Sequence, residues 1–495
     1  MTTTLLIAPV GVPALAAAAY AAFGWRRGTA WLASAAAAGV LAAAVWLALL
    51  AVDRPRTGLG GLLRADALTA FMLIVIGAVA LLAMLASPSY LEAERAAGHA
   101  TPADMRRYGV LTQAFVAAMA LAVLASSLGV LWVAVEATTI VTAFLVGHRR
   151  TRNATEAAWK YVVICSAGIG LALLGIVLLH FAARHAHVPS SGALDWVRLA
   201  EHAAALDPGV TRIAVALLII GFGAKAGLAP LHAWLPDAHS QAPAPVSALM
   251  SGVLLSVALY AVLRVKVIAD IALGTGFART LLLIVALASV AVAAALLLGQ
   301  RDLKRMLAYS SIEHMGLLAL GAAIGTRLAM GAVLLHILGH GLAKAVSFLA
   351  AGRVHQALAT SRIDAVRGLG GRAPVLAAAL GAGLLALLGF PPFTLFAGEI
   401  AMVRAGFSAG LGWAVTIALV LTLLIMAAVS ARMAGMLLGS RPDGPGAATI
   451  PTGLKPPFAL TAALGAGLAA CAVIGVTAWP LRPLLDAAAE ILTAF

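Results

Sequence analysis

Long apolar stretches follow one another along almost the whole chain, with short polar segments between them. Each stretch has about 18 to 25 residues, the length that a helix needs to cross a hydrocarbon layer roughly 30 Å thick. None shows the alternation of polar and apolar residues that is typical of a strand, and lipid offers no partner to the backbone of an open sheet. The pattern therefore predicts an all-α polytopic membrane protein.

Fourteen membrane-spanning helices are predicted from these stretches, because each is bounded by charged residues or by turn-forming glycine and proline. The predicted spans are residues 4–23, 29–51, 66–87, 108–127, 129–147, 158–182, 212–230, 242–264, 280–299, 305–325, 328–351, 373–399, 409–438 and 456–478.

Composition supports the membrane assignment: 63% of the residues are hydrophobic and 11% are charged, whereas about a quarter are charged in soluble proteins. The formal net charge of +14 would suggest nucleic acid as a partner of a soluble protein. Here almost all of the basic residues lie in short loops, as the positive-inside rule describes, so nucleic acid is not expected. The loops on the side of Arg149 and Arg301 hold more Lys and Arg, which predicts a plasma (inner) membrane protein with both termini outside.

No polar segment is long enough for a separate folded domain that could hold a redox cofactor. The segment from Ala183 to Asp207 is interpreted as an extramembrane loop. Cys165 and Cys471 both lie in apolar stretches and far apart in sequence, so they are interpreted as packing residues. No metal site is expected, and electron-transfer centres are expected only in partner chains.

Two spans are interrupted, one around Gly227 to Pro230 and the other at Gly389 to Pro392. Proline removes a helical hydrogen bond, so each break exposes backbone groups that lipid cannot satisfy. The breaks fall in the seventh and twelfth spans, five helices apart, which predicts two inverted five-helix repeats with discontinuous helices 7 and 12. The predicted division is 1–107 for three N-terminal helices, 108–264 for the first repeat, 280–438 for the second and 456–495 for helix 14.

Glu136 and Lys225 are charged residues inside predicted spans five and seven. A charge at that depth costs a few kcal/mol on insertion scales unless it is paired, neutral or hydrated. Each has the other as its obvious partner, so an ion pair that takes part in proton translocation is predicted. The alternative is a static bridge that only joins two helices.

His336, His340 and Lys344 recur every four residues in the eleventh span, which places them on one helix face. Because histidine can accept a proton on one ring nitrogen and release it from the other, this stripe is interpreted as part of a proton route. The alternative is that the histidines are packing groups. Glu399, which follows the second break, is expected at the end of the route, or else as an interfacial carboxylate.

A further set of residues is expected to support the route. Glu313 and His314 are adjacent, so their side chains should point in different directions, one toward the route and one toward a neighbouring helix. Residues near the first break are interpreted as capping or loop-bonding groups, and one pair at the start of the sixth span as a helix-end ion pair. These residues are His232, Asp237 and His239, and the pair Glu156 and Lys160.

Three segments resemble the antiporter-like proton-translocating subunits of respiratory complex I and its relatives, in a match that covers roughly residues 108–405. They are Lys225 to His239, Ala244 to Leu249 and Asp302 to Ser310. The resemblance implies fourteen helices with inverted repeats of five. It also implies that Glu136 and Lys225 form a charge pair, with Lys344 central and Glu399 at the exit.

Within that family, Pro236 to Pro243 and Ser311 to Gly316 look most like component F of hydrogenase-4 and formate hydrogenlyase complexes. This resemblance implies other membrane subunits and a soluble redox arm carrying iron-sulfur and nickel-iron, or flavin, centres. Ser256 stands where some complex I members have a lysine in helix eight, so the central relay would depend on Lys344.

The function expected first is therefore a proton-translocating subunit of a redox-driven complex that carries no redox cofactor of its own. Three alternatives stay open: a cation/proton antiporter subunit of the Mrp type, a subunit that energises inorganic carbon uptake, and a membrane scaffold. The residues do not decide between protons and Na⁺.

Overall fold

The structure is a computed structural model that describes residues 2–52, 54–188, 192–440 and 455–493. In these ranges the chain forms helices and one short hairpin of β1 (Arg56–Gly58) and β2 (Leu63–Ala65). The helices are α1 Thr2–Phe23, α2 Leu32–Ala51, α3 Ala67–Ala96, α4 Pro102–Leu124, α5 Leu128–Val146, α6 Arg152–His185, α7 Trp196–Glu201, α8 Pro208–Ala226, α9 Trp234–Gln241, α10 Ala244–Leu249, α11 Leu255–Leu273, α12 Thr275–Leu298, α13 Leu303–Ile324, α14 Arg327–Leu358, α15 Leu369–Arg372, α16 Pro374–Leu387, α17 Thr394–Ser408, α18 Gly412–Leu438, α19 Phe458–Val476 and α20 Arg482–Ile491.

The predicted fold class is confirmed, since thirteen helices of the described ranges are long and apolar enough to cross a membrane. The fragments α16 and α17 together correspond to the interrupted twelfth span. Three details differ from the prediction. Helix α3 continues to Ala96 through Pro88, the segment predicted as a plain loop contains α7, and α20 follows the last long helix. The division into five-helix repeats stays a prediction.

Side-chain caps mark where several helices begin. The Asp66 carboxylate accepts a hydrogen bond from the backbone N–H of Thr69 at the start of α3, at 2.9 Å. Thr101 and Asp104 form a reciprocal capping box on α4. Asp302 and Thr326 cap α13 and α14 through their side-chain oxygens. Each cap satisfies amide groups that a helix leaves without an internal partner.

The centre of the molecule is built from α13, α14 and the continuous segment α10 to α11, whose middle turn, Met250–Leu254, is π-helical. These are the most enclosed of the membrane-spanning helices described. The α10 to α11 segment crosses α14 at Gly252 and Gly341, where a Cβ on either glycine would lie 2.9 Å from the other's carbonyl oxygen. Such close approach of two backbones requires glycine.

Both predicted helix breaks are present. Helix α8 ends just before Gly227 and α16 ends two residues before Gly389, and both glycines have positive φ. In each case the amide of the residue after the glycine donates back to a carbonyl five residues earlier, Leu228 to Gly223 at 2.9 Å and Phe390 to Leu385 at 3.1 Å. The backbone at the breaks is therefore bonded within the protein, as membrane burial requires.

Cys165 and Cys471 are buried free thiols, in agreement with their predicted packing role.

A buried ion pair joins the N-terminal helices to α11. Arg264 Nη2 lies 2.8 Å from both carboxylate oxygens of Asp66 and 3.2 Å from the Thr69 hydroxyl. The guanidinium also lies 3.8 Å from the ring centre of Trp196 and 4.9 Å from that of Tyr260. Sequence reasoning missed this pair, because its partners are separated by 198 positions.

Candidate functional site

Lys225 is fully buried. It lies on the last turn of α8, which packs against α6. Its ammonium donates to the hydroxyls of Thr139, at 2.8 Å, and Tyr161, at 2.5 Å. The Tyr161 hydroxyl also bonds to that of Thr142. Two hydroxyl groups, one from α5 and one from α6, therefore take the place of water around this charge, and a third hydroxyl supports the tyrosine.

Glu136 is half-buried on α5, and its Oε1 accepts a hydrogen bond of 3.0 Å from the hydroxyl of Ser166. Its other oxygen is buried without a hydrogen-bond partner in the described part of the chain. No ion pair within 4.0 Å joins Glu136 to Lys225 among the described residues, although the carboxylate exerts a Coulomb interaction on the ammonium. The lysine is held by hydroxyls instead. Their joint part in proton translocation stays a prediction.

The short helix α9 packs against both α6 and α13. It therefore lies between the helices around Lys225 and those around Lys344. Trp234 lies 4.9 Å from Tyr161, ring centre to ring centre, and its indole N–H donates to the Ala224 carbonyl near the break, at 3.0 Å. His239 follows, 6.4 Å from Trp234 and stacked at 5.2 Å on Phe348 of α14. Its two ring nitrogens have no hydrogen-bond partner among the described residues.

The stripe of α14 is buried in full: His336, His340 and Lys344 have no exposed surface. The Lys344 ammonium donates to the Leu307 carbonyl at 2.6 Å and to the Ser310 hydroxyl of α13. His314 of α13 lies against the same stripe. Its Nδ1 is 3.2 Å from His336 Nε2, and its ring centre is 5.1 Å from that of His340.

Glu399 lies on α17, which packs tightly against α14. Its carboxylate, His314 and His336 each offer one atom within 4.8 Å of the others. A cavity of about 40 Å³, lined by Glu399, Thr422 and apolar residues of α13, α17 and α18, adjoins it. Glu313 is buried and exerts a Coulomb interaction on Lys344; that Glu313 and His314 point in different directions stays a prediction.

Two polar cavities of about 190 and 210 Å³ lie side by side at the α6, α9 and α13 ends, sharing Ser240, Gln241 and Arg305. Asp237 borders one of them and forms ion pairs with Lys160, at 3.2 Å, and with Arg305, at 2.9 Å. It therefore joins helices rather than capping one.

Other polar residues near these two cavities make the following contacts. Glu156 and Lys160 form the expected helix-end pair at 2.7 Å. Lys304, which sequence reasoning missed, donates to the Ser240 and Ala242 carbonyls at 2.9 and 2.7 Å. His232 is half-buried, and its Nδ1 has no partner in the described part of the chain.

The structure therefore brings the predicted residues into one interior. A line of contacts runs from Lys225 through Tyr161 and Trp234 to His239, which stacks on Phe348 of α14, the helix that carries Lys344. Ser256 is buried with an unpartnered hydroxyl in the described structure. Tyr161, Thr139 and Trp234 had no distinguishing signal in the sequence, since hydroxyl and aromatic residues are common in apolar helices.

Known proteins are similar to this chain in both sequence and helix arrangement. A family profile described as NADH:quinone oxidoreductase/Mrp antiporter, transmembrane, matches residues 125–425. The hydrogenase-4 component F homolog of Methylacidiphilum infernorum (isolate V4) is 39% identical over 349 residues, which cover 70% of this chain and 73% of that protein.

Two solved structures extend the likeness to nearly the whole chain. A chain of the archaeal membrane-bound sulfane sulfur reductase superposes with a TM-score of 0.85 at 25% identity, over 99% of this chain and 97% of the other. A chain of the Mrp complex from Dietzia sp. DQ12-45-1b does so with a TM-score of 0.84 at 23% identity, again over 99% and 97%, which shows the fold alone. Both neighbours belong to multi-subunit membrane complexes. On its sequence match and its arrangement of helices, this chain is a polytopic membrane protein of the NADH:quinone oxidoreductase/Mrp antiporter family.

Proposed function

We propose that this chain is the proton-translocating membrane subunit of a redox-driven complex related to hydrogenase-4. The observation that carries the proposal is the buried series of ionisable side chains, with Lys225 and Lys344 at its two centres and the half-buried carboxylates Glu136 and Glu399 at its ends. Ionisable groups inside a membrane protein are costly, and they mark ion pathways by default. The 39% identity to a hydrogenase-4 component F homolog supports the redox-driven setting.

In the proposed cycle, a proton reaches Lys225 through the hydroxyls that surround it. A change in charge at Lys225 alters the field at His239 and Lys344, because Coulomb interactions are strong in a low-dielectric interior. Lys344 then exchanges its proton with the histidine stripe, and Glu399 releases it. Histidine suits the middle of such a route because it can bind a proton on either nitrogen.

The energy source in this proposal lies in partner chains. Iron-sulfur centres, with a nickel-iron or a flavin site, would belong to a soluble arm attached through other membrane subunits. The complex would lie in the plasma membrane, with both termini of this chain outside and the two polar cavities beside Asp237 facing the cytoplasm. The five-helix segments 108–264 and 280–438 would be the two inverted halves of the route.

The test is redox-driven proton uptake by the purified complex in sealed vesicles, followed with a pH-sensitive dye. Lys225→Ala and Lys344→Ala should each lower proton translocation to the leak of empty vesicles. The matched control is Lys455→Ala, since that lysine is exposed and outside the route, and it should translocate as the wild type does. Unchanged proton translocation in Lys344→Ala would refute the proposed mechanism.

A Mrp-type cation/proton antiporter is the second candidate function, favoured by the superposition on a chain of the Mrp complex. The same vesicles distinguish the two. An antiporter would exchange Na⁺ for protons under an imposed Na⁺ gradient without any electron donor, whereas the redox-driven protein would move protons only during electron transfer.

A further inference from the structure

Three side chains from three different helices meet beside the histidine stripe: His314 of α13, His336 of α14 and Glu399 of α17. We refer to them as the His-His-Glu cluster. Their nearest ligand-type atoms all lie within 4.8 Å of one another. Nothing in the sequence spacing pointed to this cluster, because positions 314, 336 and 399 are far apart and each helix supplies one residue.

The facing nitrogens of the two histidines have each other as partner. His314 and His336 are buried, and His314 Nδ1 lies 3.2 Å from His336 Nε2. Without an ion, these two nitrogens share a single proton, and an ion bound between the rings would replace that proton. The outer nitrogens, His314 Nε2 and His336 Nδ1, have no hydrogen-bond partner among the described residues.

The distances suit a small cation. Two nitrogens at 2.0–2.1 Å from a tetrahedral zinc lie roughly 3.3 Å from each other, and His314 Nδ1 and His336 Nε2 are 3.2 Å apart. In the same tetrahedral geometry, the carboxylate oxygen lies roughly 3.4 Å from each nitrogen. The three ligand atoms here lie within 4.8 Å of one another, so the Glu399 carboxylate has to approach the nitrogens by about 1.4 Å at most to close the site.

Donor chemistry narrows the class of ion. Two imidazoles and one carboxylate are a donor set that Zn²⁺ accepts with water in the fourth position, whereas Mg²⁺ and Ca²⁺ require oxygen ligands. The cavity of about 40 Å³ beside Glu399 is large enough for that water. The carboxylate of Glu399, the acidic member of the cluster, would offset part of the charge of the ion.

The close fit of the helices supports a defined geometry. A Cβ on Gly398 would lie 3.4 Å from the Cβ of His336, and a Cβ on Gly389 would lie 2.4 Å from a Glu399 carboxylate oxygen. Glycine at these two places lets α17 and the break approach the histidines. Close packing of the backbone therefore brings His336 and Glu399, two of the three ligands, to short range.

We propose that His314, His336 and Glu399 form a binding site for a divalent transition-metal cation of the Zn²⁺ class within the membrane domain. The ion would occupy imidazole nitrogens that the proton route uses, so Zn²⁺ would block translocation. That last consequence rests on the proposed function, whereas binding itself does not.

The test is metal binding by the full chain, purified in detergent with the membrane subunits that accompany it and stripped with a chelator. Zinc per chain is measured by mass spectrometry after equilibration with free Zn²⁺, and Co²⁺ absorption with X-ray absorption reports the ligands. The variants are His314→Gln and Glu399→Gln. The matched control is His185→Gln, an exposed histidine near the end of α6.

We expect the wild type and His185→Gln to bind one additional ion that both cluster variants bind about tenfold or more weakly, with imidazole ligands in the X-ray absorption spectrum. Equal zinc binding by the wild type and either cluster variant would overturn the proposal, as would a spectrum without imidazole. Size-exclusion profiles verify folding. If His314→Gln does not fold, the isosteric Glu399→Gln variant decides the result.

Discussion

The Asp66 and Arg264 ion pair allows the sharpest prediction about stability. Its side chains are 3% and 1% exposed, so neither charge can turn to water if its partner is lost. Asp66→Asn keeps an oxygen that can cap α3, because Asn is as good an N-cap as Asp. The substitution therefore removes the charge of the pair while leaving the helix start intact.

The expected magnitude follows from burial. Breaking a buried pair by removing one partner costs about 3–5 kcal/mol, because the remaining charge stays buried without compensation. Arg264 would retain the Thr69 hydroxyl at 3.2 Å and its aromatic neighbours, which places Asp66→Asn toward the lower end of that range. Even this is a large share of a typical folding free energy of about 5–15 kcal/mol.

The measurement is thermal inactivation in detergent at a fixed scan rate, with the half-life at one temperature as a second readout, since unfolding of such a protein is governed by rate. Asp66→Asn should shorten the half-life strongly. The double variant Asp66→Asn with Arg264→Met should recover most of the loss, because replacing both charges of a buried pair is often neutral or stabilising. A double variant less stable than Asp66→Asn would refute the reasoning.

Two further predictions concern the route itself. Gly389→Ala and Gly410→Ala both place a Cβ at positive φ, which should cost about 1–2 kcal/mol of stability each. Only the Cβ at position 389 collides with the carboxylate of Glu399, so Gly389→Ala should lose proton translocation and Gly410→Ala should not. Equal translocation in the two variants would contradict the prediction. Tyr161→Phe removes a hydrogen bond from the buried ammonium group, worth about 1.5–3 kcal/mol, and should slow translocation, whereas Tyr108→Phe, which loses a hydroxyl contact of 2.8 Å to a serine, should not.

Much of the fold could be predicted from the sequence, because a membrane leaves few choices. Apolar length identified the spans, and glycine with proline identified both breaks. Boundaries were wrong where polar residues continue a helix, as in the last turns of α3 up to Ala96. There the chain remains helical beyond the apolar stretch, since a helix end is set by its cap and not by hydrophobicity alone.

The site could be predicted only in part. Charged residues in apolar stretches are conspicuous, so Lys225, His336 and Lys344 were found. Their partners were not, because Thr139 and Tyr161 are ordinary residues of α5 and α6 until packing brings them to the ammonium. The direct contact expected between Lys225 and Glu136 is absent from the described residues for the same reason: sequence order gives no distance between helices.

The glycine crossing between Gly252 and Gly341 has a mechanical consequence. Because each backbone lies in the space that a side chain would fill on the other, α14 cannot slide along its axis by one residue without driving Leu342 or His340 into the opposing chain. The crossing therefore fixes the position of α14 along its own axis, and with it the depth of Lys344 in the membrane domain. Rearrangements of this region should therefore proceed by side-chain rotation around fixed helices rather than by piston movement of α14.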